Sequence, residues 1–255
     1  MIELDTIYNE DCLKGMKRIP DGSVDCIICD LPYGTTECRW DSVIPFGPLW
    51  EQYRRIVKPD AAIVLFGCEP FSSMLRMSNL DWYRYDWVWD KVRPTGQLNS
   101  RKQPMRQHEL ISVFYRRQPT YNPQMHSDRQ PARFDKRTSG ASKDSNCYGK
   151  NSDFKPDITP ESLSYPRSVI RLRTVLCNDE EHVHPTQKPV SLISYLIRTY
   201  TNEGETVLDN CSGSGTTAVA AWREKRHFIC FEKDPVYWEK SVERIRNEMM
   251  QQYLF

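Results

Sequence analysis

Glu205-Thr206-Val207-Leu208-Asp209-Asn210-Cys211-Ser212-Gly213-Ser214-Gly215-Thr216 is a strand, a small glycine-bearing loop and a helix start in immediate succession. Glu205 to Asp209 reads as a strand, and Thr216 to Trp222 opens an alanine-rich helix. Such a loop lets backbone N–H groups approach a ligand closely, which needs glycine, and the helix start adds a positive dipole end. His227 to Phe231 predicts the next strand, and Glu232 ends it, 17 residues after Gly215. Dinucleotide folds place a ribose-binding acid at about 20 residues. The pattern predicts an α/β fold with a Rossmann-like sheet.

Position 218 is Ala, so Gly213 to Ala218 also satisfies the longer glycine pattern of pyrophosphate cofactors, and a nicotinamide dehydrogenase stays open on that ground. Asp209 argues the other way. Two carboxylates, Asp209 and Glu232, around one small site favour a cationic, phosphate-free cofactor such as S-adenosylmethionine.

Composition sets outer bounds. The 255 residues are 39% hydrophobic with a net charge of +1, as for a globular protein with no global charge signature. No apolar run reaches the ~20 residues that span a bilayer. The N-terminus lacks the basic start and apolar core of a signal peptide. Nine cysteines, an odd number lying mostly in apolar runs, suit reduced thiols and a cytoplasmic location. Cys26 and Cys29 form a C-x-x-C, but residues three apart in a strand face opposite ways, so no metal site is expected there.

Towards the N-terminus, Val24 to Cys29 reads as a buried strand, and Asp30-Leu31-Pro32-Tyr33-Gly34 follows where it ends. Open α/β sheets bind their ligands at that edge. Asp30 can accept a hydrogen bond from an exocyclic amine, Pro32 can offer its carbonyl, and Tyr33 can stack on the ring carrying the amine. Helices are predicted over Leu13–Ile19, Pro45–Val57, from Phe71 to Met77 and over Val190–Tyr200, with a turn at Lys58-Pro59-Asp60. Ala61 to Gly67 reads as a central strand, and Tyr85–Trp89 and Glu109–Tyr115 as a strand pair joined by a polar loop.

From about Arg116 to Tyr165 apolar periodicity disappears. Between Lys91 and Lys150 thirteen Lys and Arg face four Asp and Glu, a net of +9, so the rest of the chain carries −8. A neutral chain has gathered its positive charge into one segment, interleaved with Phe114, Tyr115, Tyr121, Phe134 and Tyr148. Basic side chains neutralise phosphates and aromatics stack on bases, so this segment is the expected nucleic-acid interface. Its candidate contacts are Lys91, Arg93, Arg101, Lys102, Arg106, Arg129, Arg133, Lys136 and Arg137.

Taken together, the Asp30 motif, the basic insertion and the Asp209–Gly215 loop, in that order, resemble the β-group amino DNA methyltransferases. That group has an Asp-Pro-Pro-Tyr motif, and Leu31 stands here in place of the first proline. The stretch His184 to Ala221, with its His-Pro-Thr-Gln-Lys-Pro run, is similar to the group's joined cofactor motifs. The resemblance implies a circularly permuted methyltransferase sheet. Its parts would be a catalytic half (1–116), an irregular basic target-recognition insertion (117–165) and a cofactor-binding half (166–255). It implies Asp30, Pro32 and Tyr33 as catalytic. It implies Asp209, Gly213 and Gly215 at the methionine end of S-adenosylmethionine, with Thr216 and Thr217 beside them. Glu232 would take the ribose and Asp11 and Cys12 the cofactor adenine, with Asp30 and Lys188 close to the cofactor.

The implied activity is transfer to adenine N6 in duplex DNA, as in restriction-modification. Ser in place of Asp30 would suggest cytosine N4, which remains the alternative, followed by an RNA methyltransferase or a non-catalytic DNA-binding module. Cytosine C5 chemistry is disfavoured, because no Pro-Cys dipeptide occurs. Dimers are frequent in the resembling group, so a homodimer is the expectation on that ground, while the sequence is silent on a restriction partner.

Overall fold

Near-continuous apolar runs along the central strands bury both faces of one mixed sheet. The computed structural model describes residues 2–34, 41–126, 163–175 and 187–252. The strands are β1 (Thr6–Asn9), β2 (Val24–Cys29), β3 (Val57–Gly67), β4 (Tyr83–Thr95), β5 (Arg106–Phe114), β6 (Val169–Arg171), β7 (Thr206–Asp209) and β8 (His227–Glu232). Their order is β1-β8-β7-β2-β3-β5-β4-β6. The first five in that order run parallel, β5 is antiparallel to β3 and β4, and β6 is parallel to β4.

The helices are α1 (Cys12–Gly15), α2 (Phe46–Ile56), α3 (Phe71–Met77), α4 (Val190–Tyr200), α5 (Thr216–Arg223) and α6 (Pro235–Gln252). On β2, Cys26 and Ile28 join one core with Leu192, Leu196, Ile197, Val219 and Ile245 of α4 to α6. Ile27 and Cys29 join the other, with Leu49, Tyr53, Ile56, Phe71 and Leu75 of α2 and α3. The sheet therefore has helices on both faces, which parallel strands require. Each fully buried Ile or Leu side chain contributes roughly 1.5–3 kcal/mol. The two cysteines of the C-x-x-C belong to opposite cores, as a strand dictates.

Chain contacts define two units, Met1–Asn122 with Arg167–Phe255, and Pro123–Pro166. In the described part of the second, His126 and Ser164 form an antiparallel bridge. Arg129, Arg133, Lys136, Arg137 and the His184 to Thr186 part of the motif lie outside the described residues.

Two expectations need correction. Lys58-Pro59-Asp60 is no turn but part of β3, at a register shift where Val24 pairs with Val57 and Cys26 with Ala62. An irregularity of that kind tolerates a proline that has no N–H to give to the ladder. The polar loop between the paired strands is also shorter than expected. Asp90 pairs with His108 and Thr95 with Arg106, so the ladder runs on through polar residues.

Candidate active site

Strands β2 and β7 lie side by side, Cys26 opposite Val207 and Ile27 opposite Leu208, so their carboxyl ends bring Asp30 and Asp209 to the same edge. A cavity of about 950 Å³ opens there. Leu31, buried with residues of α2 and α3, anchors the motif in the core.

Asp30 is held from two sides. The Tyr33 hydroxyl donates to its Oδ1, and Lys188 Nζ donates to Oδ2 at 2.5 Å. Lys188 also pairs with Glu109 Oε2 at 3.2 Å, and Lys91 with Glu109 Oε1 at 3.3 Å. The rings of Phe66 and Trp89 stand 5.2 and 5.9 Å from the Lys188 ammonium. Burial raises the pKa of Asp30, and Lys188 opposes that rise. Burial would push the Lys188 proton off, yet Asp30 and Glu109 outweigh it and hold the ammonium charged. Glu109 is also buried, but its two lysines bring its carboxyl below the usual range. Burial raises the Tyr33 pKa, so its hydroxyl stays a donor, and its ring packs 5.0 Å from that of Phe71.

On the β7 side both Asp209 oxygens are engaged, by Thr217 Oγ1 at 2.6 Å and Cys211 N at 3.0 Å. Burial pushes its pKa up to about 6. Glu232 accepts from Gly213 N and Asp234 N, both at 2.8 Å, and burial raises its pKa as well. Asp11 caps α1 through Leu13 N at 3.0 Å. Cys12, Cys29 and Cys211 line the same wall, where Asn210 Nδ2 donates to Cys211 Sγ at 3.4 Å.

The structure brings Asp11, Cys12, Asp30, Pro32, Tyr33 and Lys188 to one cavity with Asp209, Gly213, Thr216, Thr217 and Glu232. Gly215 is placed differently. Its φ is +72°, and a Cβ there would stand 2.9 Å from Ser241 Cβ and 3.4 Å from Ile7 Cδ1, so it lets α6 pack closely and does not line the cavity. Gly213, with φ +50°, has open space above it.

Lys91 is also placed differently from its expected surface position, because its pairing with Glu109 buries it beside the cavity. Arg93, Arg101 and Lys102 are exposed, and Arg106 reaches from the surface to the cavity wall, 3.5 Å from Cys68 Sγ. Glu109 escaped the sequence reading, although an acid opening an otherwise apolar strand was a signal. Ser212 left no signal, and its buried Oγ on the cavity wall has no hydrogen-bond partner. Among the described residues no group of His, Cys, Asp and Glu is arranged to hold a metal ion, and no helix is long and apolar enough to cross a membrane.

A family model described as DNA methylase, of the N6/N4 type, matches residues 24–243. The chain belongs to this N6/N4 DNA methylase family. The type II methyltransferase M.HpaI of Haemophilus parainfluenzae is 26% identical over 249 residues, covering 93% of this chain and 73% of that protein. The structure of M1.HpyAVI in complex with S-adenosylmethionine superposes with a TM-score of 0.64 at 22% identity, over 94% of this chain and 98% of that one. The cytosine-N4-specific PvuII DNA methyltransferase gives a TM-score of 0.64 at 17% identity, over 95% and 90%. The Rossmann-like methyltransferase sheet of this N6/N4 DNA methylase is thus shared across nearly its whole length.

Proposed function

We propose that this DNA methylase transfers a methyl group from S-adenosylmethionine to the N6 amine of adenine in duplex DNA, by base flipping and direct attack of the amine nitrogen. The observation that carries the reading is the Asp30 carboxylate, kept charged by Lys188 beside Tyr33, on the strand next to the one ending in Asp209.

The cavity suits the cofactor. Asp209 and Glu232 offer negative charge, Gly213 leaves open space, and Ser212 Oγ offers an unused hydrogen-bonding group. When bound, S-adenosylmethionine supplies an electrophilic methyl group on a positively charged sulfur. In this reading Asp209 faces the ammonium, Glu232 the ribose hydroxyls, and Asp11 and Cys12 the adenine. Thr216 and Thr217 support the loop. Gly215 acts indirectly by letting α6 close on the loop.

A base amine is a poor nucleophile because its lone pair is conjugated with the ring. Flipping brings it to Asp30 at a cost of a few kcal/mol of stacking and pairing. Tyr33 replaces part of that stacking. Asp30 and the Pro32 carbonyl accept the two amine hydrogens, so the nitrogen becomes more tetrahedral and its lone pair turns towards the methyl. As the C–N bond forms the nitrogen must shed a proton, and Asp30 is the carboxylate beside it. Positioned acceptors in a buried site supply most of the gain. Residues 1–116 and 166–255 act as catalytic and cofactor halves, and 117–165 as the target-recognition insertion, with Arg129, Arg133, Lys136 and Arg137 on DNA phosphates.

Transfer from methyl-labelled S-adenosylmethionine to unmethylated duplex DNA, followed by nucleoside separation, tests the reading. Label in N6-methyldeoxyadenosine is expected. Label in N4-methyldeoxycytidine keeps the mechanism and changes the base, and label on RNA alone overturns the reading.

A further inference from the structure

The β4–β5 hairpin leaves the sheet at the rim of the catalytic cavity. β3 runs parallel to β2, and its last residue, Gly67, pairs with Leu110, so the start of β5 lies at the edge that carries Asp30. Lys91, Thr95, Arg106 and Glu109 all line the cavity, and residues 96–105 continue beyond it. The strand is bent at this point. Val92 has φ +65°, rare for a β-branched residue, its N–H is held by Asp90 Oδ1 at 2.9 Å, and the register shifts between Asp90 and Thr95.

At the tip a single 3-10 turn, Gln97–Asn99, carries Leu98 at 101% relative exposure. Between Val92 and Arg106 there are four basic residues and no acidic one. Arg93, Arg101, Lys102 and Arg106 are all exposed. A lone surface leucine needs no explanation. A leucine at the end of a projecting cationic hairpin, on the same sheet edge as the proposed methyl acceptor site, meets an apolar surface only where base pairs have opened. Leucine is among the side chains that wedge between base steps.

We infer that Leu98 enters the duplex and fills the space left by the flipped base, while the flanking arginines and lysine neutralise the phosphates on either side. The inference rests on the base-flipping reading above. Leu98→Ala is tested against wild type on two duplexes bearing the site found by sequencing enzymatically modified DNA. One is fully paired and the other has an abasic position opposite the target base.

On the paired duplex kcat/KM is expected to fall roughly tenfold or more, and on the abasic-partner duplex to return to within about twofold of wild type, because flipping there breaks no base pair. S-adenosylmethionine binding should be unchanged. Wild-type activity of the variant on the paired duplex overturns the inference, as does an equal loss on both duplexes. A wild-type protein that methylates no DNA at all overturns the base-flipping reading itself, and is recognised by its silence before any variant is made.

Discussion

Lys188 Nζ donates to Asp30 Oδ2 at 2.5 Å across 158 residues of sequence. Lys188 is buried and Asp30 half-buried, and Glu109 and Lys91 extend the pair into a chain of alternating charges. Without its lysine, Asp30 would face burial and the Glu109 charge, which raise its pKa, with the Tyr33 hydrogen bond left to oppose them. Its proton would then be lost at higher pH.

For Lys188→Met the acid limb of the single-turnover rate profile is therefore expected to move to higher pH, with transfer at neutral pH reduced about 10²-fold. An unshifted limb would show that the lysine acts on something other than Asp30.

Asp209 leads to a pH dependence in binding. Its free-state pKa is about 6, set by burial, and a cationic ligand favours the ionised form. Cofactor affinity should hold above that pH and weaken by up to about tenfold per unit below it. Titration calorimetry from roughly pH 5 to 8 reads this directly, and Asp209→Asn should bind weakly with the slope removed.

The two loop glycines should fail in different ways. Gly215→Ala forces a Cβ to 2.9 Å from Ser241 at φ +72°, and a loss of about 1–3 kcal/mol in denaturant unfolding is expected. Gly213→Ala meets nothing within 4 Å, so it should cost only about 1 kcal/mol. Its methyl group would project into the cavity, and weaker cofactor binding is its expected signature.

Tyr200 is a control far from the chemistry. Its hydroxyl accepts from Trp87 Nε1 at 2.7 Å and lies 2.9 Å from the Tyr85 hydroxyl. Tyr200→Phe leaves a buried N–H unpaired, so stability should drop by about 1–3 kcal/mol while methyl transfer by the folded fraction is unaltered.

Much of this was legible from local pattern. The runs Val24–Cys29 and His227–Phe231, and the helices at Phe71–Met77 and Val190–Tyr200, carry their own hydrophobic periods and turn residues. The helix Pro235–Gln252 was also written in the sequence, in Trp238, Val242, Ile245 and Met249 at helical spacing, but it went unread. β1 and β6 are four and three residues long, too short for a period to register.

The site was legible as residue types and not as pairings. Nothing near Lys91 or Glu109 announces that β4 and β5 would deliver them to Lys188, because that contact depends on strand register. Gly215 shows the same limit. A glycine in a Gly-x-Gly loop reads as ligand contact, and only the packing of α6 reveals that a neighbouring helix fills the space.

The most direct measurement is on Asp30→Ala, with single-turnover methyl transfer and S-adenosylmethionine affinity determined on the same preparation. Transfer is expected to fall by about 10²–10³-fold or more, with affinity within roughly threefold of wild type, since removing a group that acts on the amine leaves ground-state cofactor binding largely intact. Affinity and transfer falling together would contradict the assignment of Asp30 as the amine acceptor and make it a structural support of the cofactor cavity.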